Sequence, residues 1–198
     1  MIDNERLLSV YNFIAGHPQA HDQGVWGGFG RESGNFPGGE LDVTMVDVTT
    51  LEKPDDFDDG ISAIGIKRPE VSCGTVACFA GWTCLLNGDR MVLPFSVDQI
   101  LSSSPPAFIE SSEVVGRDKE ARYNVSERAA DLLGLDDWDR HVLFEANNSR
   151  GFLREAVVSL LNQGLIGDDV LARNSDGEFD DMDEITPIIY DSTTNTYV

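Results

Sequence analysis

The sequence is poor in cations, in cysteine and in long apolar runs. Lys and Arg number 14 against 35 Asp and Glu, leaving a formal net charge of −21 over 198 residues. Nucleic-acid binding draws most of its affinity from cations set against phosphates, so direct nucleic-acid binding is not expected. A surface this acidic can instead imitate nucleic acid. Three of the cations are lysines (Lys53, Lys67, Lys119) and 11 are arginines, a bias of the kind a GC-rich genome or a saline cytoplasm imposes. The three cysteines follow a start, Met1-Ile2-Asp3-Asn4-Glu5, without the basic-then-apolar pattern of a secretory signal, which points to reduced thiols rather than a disulfide framework. The absence of any run of about 18 apolar residues excludes a spanning helix. The expected location is the cytoplasm, away from membranes.

What is present fits one domain with a tail. A hydrophobic content of 41% over this length can bury one substantial core. The first helix is expected from Asp3 to Ala15, where Leu7, Val10, Tyr11 and Ile14 recur at helical spacing, Asp3 is placed as N-cap, and Gly16 and Pro18 supply the stop. Residues 17–40 form a Gly-rich loop carrying Trp26, Phe29 and Phe36, read as a surface insertion or as a contact loop for a partner. Gly28-Phe29-Gly30 in that loop lacks the strand and helix that a dinucleotide fingerprint needs. Leu41 to Thr49 is β-branched and partly alternating, and is expected to pair with Ile61 to Ile66 across the acidic turn Lys53 to Gly60. Met91 to Leu93, Phe95 to Leu101 and Ala107 to Val115 are candidates for further short strands.

Three helices are expected in the C-terminal half. Ser126 is read as the first N-cap, with Ala129, Leu132 and Leu133 inward and Gly134 as the stop; Asp136 caps the second, which carries Trp138, His141, Val142 and Phe144 to Asn147-Asn148; Ser149 starts the third, which ends at Gly164. Residues 168–198 hold nine acidic residues against Arg173 alone and are read as an acidic tail, with Ile185 to Tyr190 docking as an edge strand or swapping onto a neighbour. The expected architecture is α+β: residues 1–167 as a single domain with a buried central helix, a small antiparallel sheet and three C-terminal helices.

The central helix is read over Thr75 to Asn87, within the segment Ser72 to Gly88. Gly74, Ala77, Cys78, Gly81, Cys84 and Leu85 share a narrow face of mostly small side chains that lets another backbone approach, and Asn87-Gly88 supplies a C-cap. The run Cys73-Gly74-Thr75-x-x-Cys78-x-Ala80-Gly81-Trp82 resembles the signature of a group of small proteins encoded by tailed phages and prophages, especially those of actinobacteria. In that group the signature is followed by a segment similar to Ala129 to Leu135 and a pair similar to Leu143-Phe144, and preceded by a loop similar to His17 to Trp26. The resemblance covers about half the chain and implies a phage origin and a shared fold core. It brings no catalytic residues.

Candidate chemistry is limited. Cys73, placed at a helix N-terminus, would gain thiolate character, and Cys73, His141 and Asn147 follow the Cys, His, Asn order of papain-like proteases, although the upstream glutamine and the local spacing differ. Cys73, Cys78 and Cys84 lack the C-x-x-C knuckle of a zinc site, even with His17 and His21 as possible companions, and read better as core thiols. Ala172 to Asp183 imitates a calcium loop through Asn174, Asp176 and Gly177, but Ala172 stands where the first carboxylate belongs and Asp183 where the bidentate Glu belongs. No cofactor or metal is implied. The acid-rich stretches, with Asp55, Asp56, Asp58 and Asp59 in Glu40 to Gly60 and Asp180, Asp181 and Asp183 in the tail, are read with Trp26, Phe29 and Phe36 as the binding residues. The function expected is that of a phage-encoded accessory protein binding a host or phage macromolecule, possessing a basic surface, in host takeover or defence evasion. A Cys-His hydrolase and an acidic nucleic-acid mimic are the alternatives.

Overall fold

The computed structural model describes residues 1–29, 46–51, 61–66, 75–93, 109–117, 121–179 and 186–198. Over these residues the chain is α+β. Helix α1 (Asn4–Gly16) starts where the Asp3 carboxylate accepts the Arg6 N–H, and its Leu7, Val10, Tyr11 and Ile14 are buried. The expected stripe is the observed one.

Helix α2 is the short central element, Phe79–Leu86, with all residues from Phe79 to Leu85 buried. This corrects the expected span. Thr75–Val76 form strand β4, which pairs antiparallel with β1 (Gly28–Phe29), and β1 pairs on its other side with β6 (Ile109–Glu110). β-Branched Thr75 and Val76 suit an extended backbone. The helix is set going only at Cys78, which is extended at φ −71° and ψ 179° and whose thiol accepts the Gly81 N–H at 3.4 Å.

The larger sheet is antiparallel in the order β2 (Val46–Leu51), β3 (Ile61–Ile66), β5 (Arg90–Leu93), β7 (Glu113–Val115), β8 (Arg122–Asn124). Register between β2 and β3 runs from Val46 opposite Ile66 to Leu51 opposite Ile61, the pairing expected across the acidic turn. Met91, Leu93, Val114 and Val115 are fully buried on the strands that follow α2 in sequence.

Helix α3 (Val125–Leu133) begins two residues earlier than expected, because Asn124 and not Ser126 is the cap, its side chain accepting the Ser126 N–H at 2.9 Å. Gly134 ends it at φ 69°. Asp136 caps α4 (Asp137–Leu143) as expected, but this helix stops well before Asn147. Asn148 turns back to donate its amide to the carbonyls of Val142 and Leu143, so it seals the end of a helix it does not belong to. Ser149 caps α5 (Arg150–Gln163), and Gly164 closes it at φ 78°.

The segment after residue 167 is more than a solvated tail. Helix α6 (Asp168–Ser175) places Val170 in the core, and Phe179 and Ile188 are buried in the same cluster. Among the described residues strand β9 (Tyr190–Asp191) pairs with β10 (Thr196–Tyr197) and no other, so the expected edge strand is there half of its own hairpin. Asn174 is helical, and Arg173 forks onto Glu178 through Nε and Nη2 at 2.8 and 2.7 Å, which leaves no calcium-loop geometry across Asn174 to Gly177. Asp183 lies outside the described residues.

Candidate binding surface

The Cys, His, Asn reading loses its premise. Cys73 lies outside the described residues, and the helix it was placed on starts at Phe79 with Cys78 as cap. His141 and Asn147 are both exposed, one on α4 and one beyond its end. The two described thiols are buried and free. Burial pushes the Cys78 thiol up to about 12, and burial together with the nearby Asp89 charge holds Cys84 well above the usual thiol range. Both behave as small core groups. Among the described residues no three metal-ligating side chains come together.

The first part of the Gly-rich loop is built into the core. After a 3-10 turn at Pro18–Ala20, His21 bridges to Ala77, and the Ala20 carbonyl accepts the Trp82 indole N–H at 2.8 Å. The Gln23 amide then ties three segments together. Its Oε1 accepts the Phe79 N–H at 3.2 Å and lies 3.1 Å from His21 Nε2, while its Nε2 donates to the Leu143 carbonyl at 3.1 Å. That acceptor assigns the His21 proton to Nε2. Burial lowers the His21 pKa to about 4, so the ring is neutral at pH 7. Trp26 is half-buried, and its carbonyl oxygen occupies the space where a side chain at position 81 would go. The Trp26 side chain packs against the core from this half-buried position. The Phe29 side chain, Phe36, Asp55, Asp56, Asp58, Asp59, Asp180, Asp181 and Asp183 lie outside what is described.

Among the described residues the exposed large apolar side chains are Met1, Trp138, Leu165, Ile189, Tyr190 and Val198, and the last three share the C-terminal hairpin, whose first strand the sequence suggested as an edge strand or a swapped segment. Ile189 and Val198 exchange both backbone hydrogen bonds, at 3.0 and 2.9 Å. Such a pair shares one face of the ladder, and here it is the outer face: Ile189 is 63% exposed and Val198 45%. Tyr190 is 51% exposed with its ring 5.3 Å from that of Tyr197, which leans onto the core. Asp191 follows on the Ile189 face, and hydrogen bonds from the Thr193 hydroxyl and N–H hold its carboxyl below the usual range, so the face carries a fixed negative charge.

Two asparagines fasten this hairpin to the helices. Asn12 on α1 donates to the Ile188 carbonyl at 3.2 Å and accepts the Ile188 N–H at 2.9 Å. Asn162 on α5 does the same for Tyr197, at 3.0 and 2.8 Å. Each side-chain amide thus takes the place of a neighbouring strand's peptide group. Tyr11 Oη and Arg154 Nε add donations to the Thr186 carbonyl and hydroxyl, both at 3.2 Å. Secured from below, the outer face is a preformed platform. No known protein family, curated protein or solved structure matches this chain.

Proposed function

We propose that the chain is a phage-encoded accessory protein that acts by binding a host or phage protein with a basic surface, in host takeover or defence evasion. The observation that carries the reading is the outer face of the hairpin, where Ile189 and Val198 stand exposed beside the charged Asp191. An aliphatic pair on a paired ladder, with the Asp191 carboxylate beside it, fits a partner that offers apolar side chains and a cation together. The net charge of −21 adds a long-range field that raises the encounter rate with such a partner. The resemblance of Cys73 to Trp82 to the phage signature supports the origin.

The test is capture from host lysate by the tagged protein, run beside an Ile189→Ser/Val198→Ser double variant that keeps the wild-type circular dichroism. One host protein should be retained by the wild type, fall at least tenfold on the variant, and elute as salt is raised. Equal retention by both proteins would remove the hairpin from the interface. Elution by competing duplex DNA would assign nucleic-acid mimicry instead.

A further inference from the structure

The C-terminal hairpin is complete in itself. Ile189 and Val198 exchange two backbone hydrogen bonds, the Tyr190 and Tyr197 rings meet edge to face, and the Asp191 carboxylate accepts the Thr193 N–H and hydroxyl. Among the described residues, no backbone-to-backbone hydrogen bond joins residues 186–198 to the rest of the chain. Four helix side chains do the fastening: Tyr11 and Asn12 from α1, Arg154 and Asn162 from α5. Ile188, at 2% exposure, is the one residue of the segment that is buried. The hairpin can therefore leave its seat without breaking a bond of its own ladder or a backbone bond of either helix.

The seat reads backbone more than side chains. Asn12 holds the Ile188 N–H and carbonyl, Asn162 those of Tyr197, and Tyr11 the Thr186 carbonyl. Selection rests on the aliphatic side chain at position 188 and on the Thr186 hydroxyl, which accepts from Arg154 Nε. The same segment of a second copy meets all of these conditions, because exchange keeps every contact and changes only the tether and the cost of association. Phe179 and Thr186 are seven Cα steps apart, a reach of up to about 25 Å. Asp180, Asp181, Asp183 and Glu184 lie between them in sequence, and their mutual repulsion opposes a tight reversal.

We propose that the seat between α1 and α5 is a docking site for a second copy of this chain, and that two copies exchange hairpins to form a closed two-fold dimer. Thr186, Ile188 and Tyr197 of each copy then fill the seat of the other. The outer faces of Ile189 and Val198 stay free, and one particle carries two of them, so a partner with two matching surfaces is held by both at once. Exchange makes no use of that face, so the failure of either proposal leaves the other standing.

The experiment uses the full chain under reducing conditions in 500 mM NaCl, which screens the net charge of −21 that opposes association. Light scattering should find a dimer whose share rises with concentration. In a refolded mixture of 13C-labelled and unlabelled chains, isotope-filtered NOEs should connect the Asn12 amide of one chain with Ile188 of the other, and the Asn162 amide with Tyr197. Asn12→Ala and Asn162→Ala each loosen the seat and should speed interconversion of monomer and dimer at least tenfold. Ile189→Ser/Val198→Ser should leave the dimer share unchanged. A monomer at every concentration, a dimer whose Asn12–Ile188 contacts stay within one chain, or an interconversion rate that neither Asn variant alters would overturn the proposal. So would a dimer abolished by Ile189→Ser/Val198→Ser, which would be a contact of outer faces instead.

Discussion

A methyl group at position 81 would run into the Trp26 carbonyl oxygen and crowd the Ala77 side chain at 2.8 Å. The obstacle is backbone, pinned by the Cys78 N–H donating to the Val25 carbonyl at 2.6 Å, so it cannot swing aside as a flexible side chain would. Gly81→Ala should cost about 3 kcal/mol or more, read from urea denaturation; a loss under about 1 kcal/mol would show that the loop yields. The small face of this helix was legible in the sequence, but the backbone that fills it was not, because Trp26 lies in a loop without periodicity. His21 makes a second prediction. Its folded pKa of about 4 lies below the ordinary histidine value of 6.5, so the unfolded chain binds the extra proton between those values and stability falls as pH drops through that window. A shift of this size is worth about 3 kcal/mol in total. Between pH 7 and 5 the wild type should lose about 2 kcal/mol more than His21→Gln, and equal losses would deny the buried neutral ring. Cys78→Ser should keep the cap and Cys78→Ala lose about 1 kcal/mol, with no iodoacetamide labelling of Cys78 in the folded protein at pH 7.

Among elements, the hairpin is the one whose attachment can be dissected. Asn12 and Asn162 each contribute a donor and an acceptor, and replacing either by Ala strands one N–H and one carbonyl. Asn12→Ala should cost about 1–2 kcal/mol and speed hydrogen exchange at Ile188; Asn162→Ala should do so at Tyr197; amides of α2 should stay protected in both. Uniform acceleration would mean that the hairpin unfolds only with the whole domain. The contrast with the other elements marks what a sequence carries. Asp3, Asp136, Ser149, Gly134 and Gly164 were legible as helix signals because each acts within a few residues. Asn12 and Asn162 looked like ordinary surface residues on their helices, since the strands they complete are remote in sequence. Thr75 and Val76 were misread for a related reason: their apolar neighbours suit either period, and the choice is made by β1, a strand only two residues long.

At the scale of the whole molecule, charge works against compactness. A chain at −21 repels itself in the folded state, and salt should relieve this; between 20 mM and 500 mM NaCl the melting temperature should rise by several degrees. A fall would show that ion pairs such as the buried Asp89–Arg128 contact outweigh the general repulsion. The α+β class was readable from composition and periodicity, whereas the contribution of Val170, Phe179 and Ile188 to the central cluster was hidden by the acidic residues around them. That closure has a consequence in time. Asn12 is bonded to a residue 176 positions further on, and Tyr11 to one 175 positions on. At a synthesis rate of about 5–20 residues per second, the first helix leaves the ribosome roughly 10–35 s before the strand that completes it exists. Once α2 is made, α1 can pack its apolar stripe on it, while its polar clamp stays open to water until the end. Because α5 (Arg150–Gln163) is itself made late, the seat between α1 and α5 and the hairpin that fills it arrive almost together, and the clamp on Asn12 closes among the last contacts of the molecule.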